Sequence, residues 1–326
     1  MSSGQQRASQ TRTADLLVAV ATRFYLHGEP QIRIARSLGI DPSTVSRLLK
    51  RARDDGIVRI EIGRPFRQES KLGRELAEAY QLHRAIVVAV DYSVPDDSSL
   101  PAAAARFVDD YLKNGMRFGV SWGRTLADVV RHLTPGTVSG VRVAQLSGGL
   151  SGPVAGIQGH ELARQVAELY PNSRVHYMLA PAIVDSVAIR DVMLADSSIG
   201  ATLAAGIASD VALVGVGSID PSATLVEAGH LGPEEQLHLA QAGAVGNVNV
   251  RFFGIQGERI PILEGRTIGI SLDELKKIPT VIAVAAGANK IPAIAGALRT
   301  GAINVLVTDA PTASALLTIS TQRRAG

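Results

Sequence analysis

Apolar residues near the start of the chain recur at the three- and four-residue spacing of amphipathic helices. Over residues 15–26, Leu16, Val20, Ala21 and Phe24 fall on one face, and His27-Gly28 ends the run. Over 30–38, Gln31, Ile34, Ala35 and Leu38 share a face behind Pro30, which suits a first helical turn. Gly39 follows as a stop, where a residue without Cβ takes positive φ. A third helix is the best marked: Asp41 as N-cap, Pro42 at the first helical position, then Ser43 and Thr44. Its inner stripe is Val45, Leu48, Leu49 and Ala52; its outer face carries Ser43, Thr44, Ser46, Arg47, Lys50, Arg51 and Arg53. Two helices joined by a Gly-containing turn, the second buried on one side and basic on the other, predict a helix-turn-helix. Residues 57–62 end in apolar/polar alternation and predict the strand of a small wing.

The pattern changes after a polar stretch, Gly63 to Glu69, and a helix over 70–80. Short β-branched runs without alternation occupy 84–90, 116–120, 141–146, 175–179, 211–216, 281–286 and 303–307. Between them lie helical stretches at 101–113, 125–133, 159–169, 191–208, 233–242, 290–300 and 311–320. Strands that are apolar on both faces, alternating with helices, predict an α/β domain with a doubly wound, mostly parallel sheet. Ligands in such sheets bind beyond the carboxyl ends of the strands, so the loops there carry the chemistry.

Charge sharpens the picture of the N-terminal part. Residues 1–66 hold 11 Lys/Arg against 6 Asp/Glu, a net +5, while the rest holds 22 against 24. A basic head on a neutral body points to double-stranded DNA as a partner. Short hydroxyls and arginines on the first turns of the third helix reach phosphates and base edges in a major groove. The DNA-facing candidates are Gln31, Ser43, Thr44, Ser46, Arg47, Lys50 and Arg51. Among 326 residues there is no cysteine, which excludes disulfides, Cys-zinc fingers and Cys nucleophiles. No apolar run reaches the roughly 18 residues that span a bilayer, and the opening segment lacks a signal-peptide apolar region. The expected location is a reducing cytoplasm.

Four strand-to-helix loops stand out. Gly119-Val120-Ser121-Trp122-Gly123-Arg124-Thr125 offers glycines, hydroxyls and a helix start to an anion; a tight turn packing the single Trp explains the same residues. Ser147-Gly148-Gly149-Leu150-Ser151-Gly152 reads either as a second ligand loop or as a turn. Gly215-Val216-Gly217-Ser218 is too short for a dinucleotide fingerprint and lacks its acidic ribose anchor. Ala286-Gly287-Ala288-Asn289-Lys290 places a lysine at a helix N-terminus, unfavourable for the helix unless an anion sits there. Asp185 and Asp309 end strand-like runs; Asp309 also fits a helix N-cap. The seven histidines show no metal-ligand spacing, so no metal or cofactor is expected.

Two sets of motifs resemble one family. QIRIARSLGIDPSTVSRLLKRARDDGIVRIEI resembles the DNA-binding head of the SorC/DeoR group of bacterial sugar-catabolism regulators. GVSWGRTLADVV, QLSGG, LAPAIVDS, VGVGS, AVGNVNVRFF and GRTIGISLDELKKIPTVIAVAAGANKIPAIAGALRTGAINVLVTD resemble its effector domain. The resemblance implies a body similar in fold to ribose-5-phosphate isomerase and glucosamine-6-phosphate deaminase, a phosphorylated sugar or a polyol as effector, and a homo-oligomer, typically a tetramer. It implies Gly119, Ser121, Gly123, Thr125 and Lys290 as phosphate ligands, with Gln145, Gly148 and Gly149 lining the sugar. Arg124 adds a cation beside the first loop. The chain departs from the family at Asn247, usually an aspartate, at Gly254, usually acidic or amide, and at Ser147, where some relatives place a larger polar residue, occasionally a lysine. These positions bear on which sugar is read.

The expected organisation is a tail over 1–13, a winged helix-turn-helix over 14–62, a linker over 63–69, and an effector-binding and oligomerisation domain over 70–320. The competing expectation is a sugar-phosphate isomerase or deaminase with an added DNA-binding head. Catalysis there needs a positioned carboxylate base, and the slot holds Asn247. The favoured reading is a one-component, non-enzymatic transcriptional regulator of a carbohydrate or polyol operon.

Overall fold

The computed structural model describes residues 15–26, 28–58, 70–90, 93, 97–136, 138–150, 158–220 and 223–322. The chain divides into two compact units, Met1–Arg67 and Gln68–Gly326.

In the first unit, helix α1 spans residues 15–21 and runs into a π-helical turn, Thr22–Leu26. Helices α2 (Gln31–Leu38) and α3 (Pro42–Asp54) follow. Val20, Ile34, Ala35, Val45 and Leu49 form their core, and Leu17, Ala21 and Ala52 a second cluster. The inner stripe of α1 thus starts at Leu17, at the spacing 17, 20, 21, 24, and Leu16 is 37% exposed. Leu38 is likewise 37% exposed, because Gly39 turns the chain at φ 65° before Leu38 can reach the core. Asp41 occupies the N-cap position, but its backbone carbonyl, and not its side chain, accepts from Thr44 and Val45. Beyond Val58, which donates to the Ala52 carbonyl, the expected wing strand lies outside the described residues.

Among the described residues the second unit holds ten strands: β1 Arg84–Val88, β2 Arg117–Val120, β3 Arg142–Gln145, β4 Arg174–His176, β5 Val211–Gly215, β6 Ala244–Val248, β7 Arg251–Gly254, β8 Arg259–Ile260, β9 Thr280–Val284 and β10 Val305–Asp309. Seven form one parallel sheet in the order β1-β10-β9-β5-β2-β3-β4. Strand β5 shows why its sequence does not alternate. Val211 and Leu213 enter one core, Ala212 and Val214 the other. Each fully buried Val or Leu contributes about 1.5–3 kcal/mol over an exposed one, so burial on both faces favours the unbroken apolar run.

Strands β6, β7 and β8 form a small antiparallel sheet between β5 and β9 that the apolar pattern did not predict. Its β6–β7 turn is Asn249-Val250, both left-handed at φ 50° and 61°. Asparagine tolerates this region, whereas a β-branched residue is strained in it. Val250 is held there by complete burial in a cluster with Phe252 and Leu263. Gly246 and Gly296 allow β6 and β7 to lie close against the helix Ile291–Arg299; a Cβ would come within 2.6 Å of Ala293 Cβ and of the Gly254 carbonyl, respectively.

Two expected elements differ. The helix over 191–208 is two helices, Val187–Leu194 and Ser197–Ile207, because Asp196 caps the second by accepting from Ser198 N and Ile199 N. The strand over 175–179 stops at His176, because Met178 N turns aside to donate to Gln145 Oε1 and Leu179 is 80% exposed.

Candidate functional site

The strand order fixes where a ligand can sit. From β2 the chain steps outward through β3 to β4; from β5 it steps the other way to β9 and β10. The neighbours β2 and β5 are therefore the point where the winding reverses, and the loops at their carboxyl ends part to leave a crevice. A cavity of about 310 Å³ opens there. Its wall comes from 121–126 after β2, 215–218 after β5, Ala223 and Thr224, Asn247 and Asn249 of the small sheet, and Asn289 with Lys290 after β9.

Each loop is shaped locally. Gly123 holds φ 135° and ψ 160°, a region that needs glycine, and its carbonyl starts the helix Arg124–His132 by accepting from Ala127 N at 2.9 Å. No side chain caps this helix, so its first N–H groups are available to an anion. Gly217 and Asn247 exchange backbone hydrogen bonds of 2.9 and 2.8 Å, which fasten the small sheet to the end of β5. A Cβ at Gly217 would meet Asn247 Nδ2 at 2.6 Å. Gly287 takes φ 109° and donates to Thr312 Oγ1, which leads into the turn Ala288–Lys290.

Two cations stand in the wall. Arg124 pairs with Glu227, which lies outside the cavity wall. Lys290 is half-buried, and burial holds its ammonium pKa below the usual lysine value; nearby Asp220 opposes this and Arg124 adds to it. Lys290 thus favours an incoming negative charge, whereas Arg124 already has the Glu227 carboxylate. Among the described residues lining the cavity there is no carboxylate and no histidine. Asp309 is buried and caps the helix that follows β10, accepting from Thr312 N at 2.7 Å. Asp185 is exposed and outside the cavity wall.

Of the effector candidates, Ser121, Gly123, Arg124, Thr125, Asn247 and Lys290 line this cavity. Gly119, Gln145, Ser147, Gly148 and Gly149 do not, and each has a packing role. Gly119 lets Leu146 approach; a Cβ would meet its Cδ2 at 2.5 Å. Gln145 is 1% exposed and accepts from Met178 N at 2.9 Å. Ser147, 1% exposed, forms a bridge with Gly269. Gly148 and Gly149 donate to the Ile268 and Ala180 carbonyls at 3.0 and 2.9 Å. Sequence reasoning did not single out Ala223, Thr224, Asn249 and Asn289; the Asn-x-Asn of 247–249 was the available signal for Asn249.

On the head, Ser43, Ser46, Arg47, Lys50 and Arg51 are exposed along α3, with Thr44 and Gln31 half-buried. The Arg47 guanidinium rests on its own helix, 3.4 Å from Ser43 O and from Thr44 Oγ1, contacts weak enough to exchange for a base edge. Arg51 is paired with Asp55 at 3.2 Å.

Comparison with known proteins fits both halves. A sugar-binding-domain model matches residues 64–318, and a winged helix-turn-helix DNA-binding model matches residues 28–59. The sorbitol operon regulator SorC of Klebsiella pneumoniae, solved at full length, superposes with a TM-score of 0.74 at 31% identity, covering 93% of this chain and 98% of that one. The chain belongs to the SorC family of transcriptional regulators. This SorC-family regulator is 32% identical to the transcriptional regulator LsrR of Enterobacter sp. (strain 638) over 312 residues, 94% of each chain. It is 33% identical to the deoxyribonucleoside regulator of Bacillus subtilis (strain 168) over 307 residues, 93% of this chain and 97% of that one. Among the described residues of the regulator, no helix is long and apolar enough to cross a membrane.

Proposed function

We propose that this regulator binds operator DNA through residues 14–62 and changes its DNA affinity when a phosphorylated sugar or polyol enters the cavity between β2 and β5. The supporting observation is the cavity's charge: Arg124 and Lys290 in its wall, an uncapped helix start beside them, and no carboxylate among the described lining residues. The linker is 63–69 and the effector and oligomerisation domain 70–320. Relatives named for sorbitol, erythritol and deoxyribonucleoside operons support a small polyhydroxylated effector class.

DNA contacts fall to Gln31, Ser43, Thr44, Ser46, Arg47, Lys50 and Arg51, with Arg47 reading a base and Ser43, Thr44, Lys50 and Arg51 mainly touching phosphate. One helix-turn-helix contacts few bases, so the protein works as a two-fold homo-oligomer, a tetramer, on a near-palindromic site in the cytoplasm. It is not an enzyme: the cavity position where an isomerase-like site would hold its base is filled by Asn247, which cannot take a proton.

The test is a thermal-shift and turnover screen with tetrose, pentose and hexose phosphates and their polyols. A ligand bound only by the native state raises the melting temperature. Stabilisation without turnover supports the regulator. Turnover supports the isomerase, and indifference to every phosphate and polyol refutes the effector cavity.

A further inference from the structure

Asn249 stands in the cavity wall, in the two-residue turn between β6 and β7. It is 4% exposed. The turn itself asks only for a left-handed residue, and glycine meets that demand without a side chain. Asparagine meets that demand too, so the backbone accounts for the residue type and leaves open what its buried NH2 group bonds to. The Ser121 hydroxyl donates its single proton to Asn249 Oδ1 at 2.5 Å, a bond that joins the loop after β2 to the small sheet. With its carbonyl oxygen engaged, the amide is fixed in orientation and its NH2 group becomes the free end. Nδ2 is closed off from solvent and meets no acceptor among the described residues. Such donors call for an explanation in a folded protein; Gln145 Nε2 is another, away from the cavity, whereas Asn249 Nδ2 and Trp122 Nε1 belong to residues of its wall.

The same geometry changes the reading of Ser121. A hydroxyl has one proton to give, and here it goes to Asn249. Ser121 then offers an anion only lone pairs, so donors to a phosphate have to come from Thr125, the helix start, Arg124 and Lys290.

We propose that Asn249 is a specificity-determining residue for the effector, held in place by Ser121 as a positioning residue, and that it donates to an acceptor oxygen of an anionic, polyhydroxylated small molecule. This rests on the reading of the cavity as the effector site. A ligand with a bare carbon at that position leaves the buried amide without a partner and is rejected.

The experiment uses the full chain and four probes: erythritol 4-phosphate, ribose 5-phosphate, 2-deoxyribose 5-phosphate and sorbitol 6-phosphate. Affinities come from calorimetry, with the ligand-free melting temperature as control. Asn249→Asp keeps the acceptor for Ser121 and the tolerance for left-handed backbone, but turns the donor into a negative charge. Its carboxylate, buried without a new partner, should lower the ligand-free melting temperature, and the folded variant should bind the best probe at least about 100-fold more weakly. Asn249→Gly should bind it about 10-fold more weakly and lose the native preference between the hydroxy and deoxy sugar phosphates. Ser121→Ala should narrow that preference with a smaller loss of affinity. Native-like affinity in Asn249→Asp overturns the proposal and leaves the effector cavity standing. If that variant does not fold, unchanged affinity and selectivity in Asn249→Gly overturns it instead. If no probe stabilises the native protein, the cavity reading fails and the proposal with it.

Discussion

Replacing Lys290 by Met separates a ligand role from a structural one. The thioether keeps the apolar stem and removes the charge. In the free protein, burial and the neighbouring Arg124 disfavour the ammonium, with Asp220 in partial opposition. Losing that charge should leave the melting temperature within about 2 °C of native, or raise it. Binding should respond in the opposite sense. Unit charges about 4 Å apart attract by roughly 4 kcal/mol at an effective dielectric near 20. Stripping water from the phosphate and the ammonium cancels part of this, leaving a net of about 2 kcal/mol, near 30-fold in affinity. Calorimetry with the best sugar phosphate measures the loss, and thermal denaturation without ligand measures the other half. Unchanged affinity in Lys290→Met, or a ligand-free melting temperature lowered by more than about 5 °C, would refute the reasoning, the second by showing that Lys290 is held as a structural cation.

Affinity for a phosphate effector should also fall as alkaline pH passes the lowered Lys290 pKa, below the usual lysine range, where the phosphate itself stays dianionic. The Lys290 pKa is lowered in the free protein; a bound anion raises it, so binding takes up a proton once the free lysine has lost one, and the decline should vanish in Lys290→Met. On the head, Arg47→Ala should cost about 1–3 kcal/mol on the preferred site and relax its sequence preference, whereas Lys50→Ala should weaken all sequences alike and flatten the salt slope by about one unit; anisotropy titrations at several salt concentrations distinguish them. Gly148→Ala would place a Cβ 2.3 Å from the Pro181 carbonyl oxygen. It should lower stability by about 1–3 kcal/mol while leaving the effector affinity of the folded protein unchanged, and a selective loss of affinity would return Gly148 to the ligand site.

What the chain reveals before folding follows from which forces are local. The parallel strands are legible because both faces are buried, so runs such as Val211-Ala212-Leu213-Val214 are apolar without a break. The head is legible because helix stops and starts are local: Gly39 and Pro42 mark their turns by backbone preference alone. The small sheet is not, since β6 carries Gly246 and Asn247 and owes its existence to the bridge with Gly217, some thirty positions earlier. The phase of α1 slipped by one residue because Leu16 and Leu17 are adjacent and only tertiary packing chooses between them.

The site divides along the same line. Glycine loops at strand ends, with Lys290 beyond β9, are local signals, and the cavity gathers them. Gln145 and Gly148 carry the same kind of local signal, yet backbone and side-chain bonds from Met178 and Ile268 commit them to the fold. Asn249 has only the Asn-x-Asn of 247–249 as a local mark; its weight comes from Ser121, 128 positions away.

In the proposed function one ligand, bound beside Lys290, sets the affinity of the head for DNA. Such coupling is reciprocal and typically 5- to 150-fold. The direct measurement is anisotropy of a labelled duplex, selected in vitro by the native protein, titrated with and without saturating sugar phosphate. The dissociation constant should shift at least 5-fold in the native regulator, and in Lys290→Met, whose affinity for DNA without ligand matches native, the sugar-phosphate concentration that gives half the shift should rise about 30-fold. A native dissociation constant that stays the same with every phosphate and polyol that binds would contradict the account.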